Sequence, residues 1–192
     1  MEVSFVCSAY LPSQFPPPDR PEIAFAGKSN VGKSSLLNRL VNRRRLAVTS
    51  GKPGRTRSIN FFAVGKELYF VDLPGYGYAK VPIQIKKSWK NMVESYLTQR
   101  SNLRAVVVIL DIRREPDPSD MNLLHWLRHH GINSIVVLTK ADKVSRQKAL
   151  HRSLEIAKNL EGILEQEPIV FSSRTGVGKE RLWNVIRELA LG

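Results

Sequence analysis

Residues 27 to 34, Gly27-Lys28-Ser29-Asn30-Val31-Gly32-Lys33-Ser34, set two glycines, a lysine and a hydroxyl at the spacing GxxxxGK[ST]. Such glycines let backbone N–H groups turn inward around phosphate oxygens, and a helix opening behind them adds partial positive charge. Lys33 is then placed to reach the β and γ phosphates of a nucleotide, and the Ser34 hydroxyl to ligate Mg²⁺.

Three further spacings extend that chemistry. In Asp72-Leu73-Pro74-Gly75 the carboxylate suits Mg²⁺ held through water, and the Gly75 N–H suits a γ-phosphate. Thr56 lies in a Gly- and Pro-containing stretch, Ser50 to Arg57, where its hydroxyl is free to swing onto Mg²⁺ with a γ-phosphate and leave after hydrolysis. In Thr139-Lys140-Ala141-Asp142 the ionised carboxylate only accepts, so it matches the N1–H and 2-amino donors of guanine, with the Lys140 stem packing on the base. Adenine would leave that carboxylate unpaired. Ser172-Ser173-Arg174 adds a backbone N–H for guanine O6.

These motifs need strand ends to carry them. An apolar run, Ile23 to Ala26, feeds the phosphate loop, and Leu36, Leu37 and Leu40 give the next segment helical spacing. Prolines at 12, 16, 17, 18 and 21 predict an extended connector after a first strand at Val3 to Cys7. Ile59 to Val64 and Glu67 to Asp72 read as a hairpin through Gly65-Lys66. Ile85, Trp89, Met92, Val93, Tyr96 and Leu97 form one helix face. Leu103 to Leu110 and Ser134 to Leu138 are strands covered on both faces, with a last strand at Ile169 to Ser172 and helices near 119–130, 146–161 and 178–190. The expected fold is α/β: a three-layer, doubly wound, mostly parallel sheet with one antiparallel strand. All 192 residues are expected to form one domain, of which 1–21 supply the N-terminal strand and Pro-rich connector.

Thirty Lys and Arg against 17 Asp and Glu give a net charge of +13, more than a nucleotide pocket requires. A polyanionic partner accounts for the excess, either nucleic acid or an anionic membrane surface. Arg43, Arg44, Arg45, Lys52, Arg55, Arg57, Lys80, Lys86, Lys87 and Lys90 cluster around the expected switch segments, where Tyr76 and Tyr78 offer rings for base stacking. The expectation is RNA binding that tightens with GTP. A single cysteine, Cys7, excludes an intrachain disulfide; Met1 to Ser4 lack the basic region and long apolar core expected of a signal peptide, and the apolar stretch Ala105 to Leu110 is far shorter than a bilayer span. A cytoplasmic monomer is expected.

Three longer segments, Glu22 to Ser35, Pro53 to Phe62 and Val71 to Val81, resemble the EngB family of small bacterial GTPases, also called the YihA or YsxC type, over nearly the whole chain. That resemblance implies binding of GTP and GDP with Mg²⁺, GTP hydrolysis, a role in assembly of the large ribosomal subunit, and a link to cell division and septation. Carried over residue by residue, the nucleotide site comprises Gly27, Lys28, Ser29, Asn30, Val31, Gly32, Lys33, Ser34 and Ser35, then Gly54, Arg55, Thr56, Arg57 and Ser58. It continues with Asp72, Leu73, Pro74 and Gly75, then Thr139, Lys140, Ala141 and Asp142, and closes with Phe171, Ser172 and Ser173. Mg²⁺ falls to Ser34, Thr56 and Asp72, and hydrolysis to Lys33, Thr56, Gly75 and Asn30.

Two residues depart from the commoner GTPase pattern. Thr139 replaces an asparagine, and Tyr76 stands where Ras-like enzymes carry the glutamine that orients water, so intrinsic hydrolysis should be slow. Asn30 is the candidate to hold K⁺ beside the β and γ phosphates, with Arg55 or Arg57 as the rival source of positive charge. Competing readings are a GTPase acting at a membrane or septum, a non-catalytic nucleotide sensor and, least favoured, an ATP-using kinase that leaves Asp142 idle.

Overall fold

The computed structural model describes residues 2–43, 46, 58–76 and 83–192, with the backbone alone for 83–89. Their strands form one seven-stranded sheet in the order β1-β3-β4-β2-β5-β6-β7. These are β1 (Val3–Ala9), β2 (Glu22–Gly27), β3 (Ile59–Val64), β4 (Leu68–Asp72), β5 (Leu103–Asp111), β6 (Ser134–Thr139) and β7 (Ile169–Val170). β3 alone runs against its neighbours, pairing antiparallel with β1 and β4. β2 is parallel to β4 and β5, and the series continues parallel through β6 to β7.

The β-branched run of β5 explains the layering. Ala105, Val107 and Ile109 face one core with Leu36 and Leu37 of α1 (Lys33–Leu40) and Leu182, Trp183 and Ile186 of α5 (Lys179–Leu191). Val106, Val108 and Leu110 face a second core. It contains Met92 and Tyr96 of α2 (Ile83–Gln99), Leu124 and Leu127 of α3 (Pro118–His129), and Ala149 and Ile156 of α4 (Arg146–Asn159). A strand buried on both faces needs apolar residues at successive positions, and Ala105 to Leu110 show that pattern.

The connector is not wholly extended. Gln14 folds back so that its Oε1 accepts from Tyr10 N at 2.7 Å and Leu11 N at 3.1 Å, closing one 3-10 turn over Pro12–Gln14. At the start of β2, Glu22 is fully buried; its carboxylate accepts from Arg100 Nη2 at 2.6 Å, Tyr96 Oη at 2.8 Å and Asn102 Nδ2 at 3.0 Å. Arg100 also donates to Pro16 O at 2.7 Å. One ion pair thereby ties the connector, the end of α2 and the root of the strand that leads into the phosphate loop.

Candidate functional site

The phosphate loop leaves β2 at Gly27, where space is tight: a Cβ would meet Val31 Cγ1 at 2.9 Å and Ile109 Cβ at 3.2 Å. Gly32 has φ of +109°, a backbone that only glycine adopts without strain, and it opens α1. Lys33 and Ser34 therefore begin the helix, as the motif requires. Lys33 Nζ forms an ion pair with Asp72 Oδ1 at the end of β4, both side chains largely buried. Ser34 is half-buried one residue further on. A hydroxyl and a carboxylate are hard oxygen donors of the kind Mg²⁺ takes with phosphate and water, so these residues fit the ion. Thr56, with Gly54, Arg55 and Arg57, lies outside the described residues, as do Arg44, Arg45, Lys52, Tyr78, Lys80 and the side chains of Lys86 and Lys87.

The loop is held from the side of β6. Thr139 is buried, its hydroxyl 2.6 Å from Val31 O and 2.9 Å from Leu110 O, so the threonine ties the phosphate loop to the end of β5. Lys140 Nζ donates to Asn30 O at 2.7 Å and sits 3.0 Å from Asp111 Oδ2. Burial raises the pKa of Asp111, but Arg113 and Lys140 outweigh it and hold the carboxyl well below the usual range. Asn30 itself has φ of +61°.

Asp142 and the loop after β7 close a cleft of about 180 Å³ lined by Gly32, Ser35, Thr139, Phe171, Ser173 and Arg174 among others. Ser172 is fully buried; its hydroxyl donates to Asp142 Oδ1 at 2.8 Å and accepts from Thr175 N at 3.2 Å. That hydrogen bond, then Asp142's own N–H and the charges of Lys143 and Arg174, lower the Asp142 pKa despite opposing desolvation. The carboxylate thus stays ionised and acceptor-only, as guanine recognition needs. Ala141 N donates to Phe171 O at 3.2 Å, joining the loops that carry Asp142 and Ser172. Ser58, by contrast, turns its hydroxyl to Asn60 Oδ1 at 3.0 Å.

On the other side, the side chains of Lys28 and Tyr76 turn toward α3. Lys28 Nζ pairs with Asp117 and, at 2.9 Å, with Asp120 Oδ2. Tyr76 Oη donates to Asp120 Oδ1 at 2.9 Å. The Tyr76 hydroxyl is thereby held by a buried carboxylate, and the Lys28 ammonium is committed to Asp120 and its neighbour Asp117. Asp111, Asp117 and Asp120 were not foreseen as site residues. Asp117-Pro118-Ser119-Asp120 is legible as a helix-capping sequence, but nothing local pairs it with residues 92 and 44 positions away. A cleft of about 740 Å³ opens at the far end of the sheet around Leu103, Asn133 and Leu191, away from these groups.

A family model described as "50S ribosome-binding GTPase" matches residues 22–140. The probable GTP-binding protein EngB of Syntrophus aciditrophicus (strain SB) is 52% identical over 97% of this chain and 94% of its own length. A crystal structure of a probable GTP-binding protein EngB superposes with a TM-score of 0.66 at 27% identity, covering 88% of this chain and 97% of that one. Era, solved with MgGDPNP and a segment of 16S ribosomal RNA, gives 0.69 at 26% identity over 88% of this chain and 56% of Era.

Proposed function

Because the chain belongs to the EngB family of GTP-binding proteins and is a GTPase, we propose that its cycle serves assembly of the large ribosomal subunit in the cytoplasm, as a single G domain. The observation that carries this reading is the coincidence of an ionised, Ser172-oriented Asp142 beside the phosphate loop with a net charge of +13. Such an excess suits a polyanion, and the family model and Era supply relatives whose names tie them to ribosomes and ribosomal RNA.

In this reading Lys33 transfers its ammonium from Asp72 to the β and γ phosphates, which frees the Asp72 carboxylate. Ser34, Asp72 and Thr56 would hold Mg²⁺, which when bound neutralises charge on the phosphate oxygens. Gly75 directs its N–H at the γ-phosphate, and Asp142 accepts from the base. Tyr76 Oη is committed to Asp120, so no side-chain amide at that position orients water, and intrinsic turnover is slow. Asn30 would hold K⁺, which would supply part of the missing stabilisation, and hydrolysis should then be faster in KCl than in NaCl.

Co-sedimentation with large ribosomal subunits, using a GTP analogue, GDP or no nucleotide, tests the proposal. Binding should be tightest with the analogue and weaken with salt. Binding indifferent to nucleotide, or unchanged in high salt, refutes it.

A further inference from the structure

Asp120, the third residue of α3, is only 5% exposed and receives three donors. Tyr76 Oη donates to Oδ1 at 2.9 Å, while Lys28 Nζ at 2.9 Å and Asp117 N at 3.0 Å share Oδ2. One carboxylate thus joins a residue of the phosphate loop to the residue that follows the DxxG glycine. The two loops also touch through their backbones, in a parallel bridge between Lys28 and Tyr76.

The segment between is confined. Leu73 N donates to Phe25 O at 3.1 Å, which fixes its beginning, and the bridge with the Asp120 bond fixes its end. Gly75 is pressed onto the phosphate loop, where a Cβ would lie 3.3 Å from Ser29 Oγ and 3.4 Å from Gly27 O. Burial, then the negative charges of Asp120 and Asp117, push the Tyr76 phenol far above its ordinary pKa, so it remains a donor.

We propose that Asp120 is a positioning residue for GTP hydrolysis, acting through the Tyr76 hydroxyl to hold Gly75 in register with the phosphate loop. The tyrosine in the glutamine position is thereby an anchor rather than a failed water-orienting group. Ground-state affinity comes from the phosphate loop and Asp142, and the Tyr76–Asp120 hydrogen bond itself contacts neither, whereas an N–H aimed at charge developing on the phosphate matters most in the transition state. The inference rests on the GTPase activity and not on the ribosomal partner.

Single-turnover hydrolysis without ribosomes tests it and keeps it separable from the assembly reading. Tyr76→Phe should lower the rate at saturating GTP about tenfold, the scale of one hydrogen bond to a charged group, and leave GDP affinity within about twofold. Asp120→Ala should lower it at least as much, and Asp120→Asn, which keeps an acceptor for the phenol, should recover most of that loss. The double variant Tyr76→Phe/Asp120→Ala should be no slower than Asp120→Ala alone, because both remove one interaction. An unchanged rate in Tyr76→Phe, losses that multiply, or a loss appearing in GDP affinity rather than rate would overturn the proposal. If Asp120→Ala does not fold, Tyr76→Phe and Asp120→Asn decide it: slowing confined to the phenylalanine variant supports the clasp, and equal slowing refutes it.

Discussion

Replacing Asp142 by asparagine should exchange the protein's base preference, and the structure fixes how. The Ser172 hydroxyl accepts from Thr175 N, so its proton points to Asp142 Oδ1. In the asparagine variant that proton still needs an acceptor, which orients the amide with its oxygen toward Ser172. The NH₂ then occupies the place of Oδ2, where two guanine donors expect an acceptor. Two hydrogen bonds to a charged group are lost, at about 1.5–3 kcal/mol each, and a donor now faces donors. A net loss of about 4 kcal/mol corresponds to about a thousandfold weaker GDP binding. Xanthine presents a carbonyl where guanine has its amino group, so xanthosine diphosphate should gain affinity in the same variant. Competition titration with a fluorescent nucleotide measures both. GDP binding within tenfold of the parent, with no gain for the xanthosine nucleotide, would refute the assignment of Asp142 and the Ser172 argument together.

Three other outcomes follow from the same structure. Glu22→Gln leaves the Arg100 guanidinium buried without its counter-charge; breaking such pairs costs about 3–5 kcal/mol, so melting should fall by roughly 6–20 °C. Asp111 has a folded pKa well below its unfolded value near 4, so its contribution is complete above that value and is lost as pH falls toward the folded one. Asp111→Asn should therefore melt below the parent at pH 7, and a melting series should show the gap closing as pH drops below about 4. Gly178→Ala sets a Cβ against the Val170 carbonyl oxygen at φ of +80°, whereas Gly65→Ala at φ of +57° meets nothing within 4 Å. Chemical denaturation should show a loss of about 1 kcal/mol for the latter and several times that for Gly178→Ala, which also disturbs the loop that orients Asp142.

What could be read from the sequence was whatever is encoded locally. The alternation of β5 between two cores, the hairpin of β3 and β4, and the loop and helix around Lys33 all follow from runs of a few residues. Strand β7 is a boundary case: it was expected to reach Ser172 but ends at Val170, because Ser172 N turns to Val177 O and its hydroxyl to Asp142. Buried charge was not legible. Glu22 with Arg100, Lys28 with Asp120 and Lys140 with Asn30 join residues 78, 92 and 110 positions apart. On composition alone, each of these charged residues belongs on a solvated surface. The Tyr76 hydroxyl's partner is hidden from the sequence for the same reason, the Asp120 carboxylate lying 44 residues downstream.

Those long-range contacts bear on how a chain with +13 net charge keeps its phosphate loop in order. Three of its residues are tied to flanking elements: Lys28 to the two aspartates of α3, Asn30 to Lys140, and Val31 to Thr139. Two of those ties spend a lysine, and each lysine is matched by a carboxylate, Asp120 for Lys28 and Asp111 for Lys140. Lys33 alone among these three lysines pairs with a carboxylate that Mg²⁺ can take over, Asp72. On the proposed reading, arrival of the metal and the nucleotide would replace one ion pair by two new ones and leave the clamps on either side in place. A loop whose backbone is fixed before the ligand arrives loses less freedom on binding, which favours both affinity and the placement of N–H groups at the reacting phosphate.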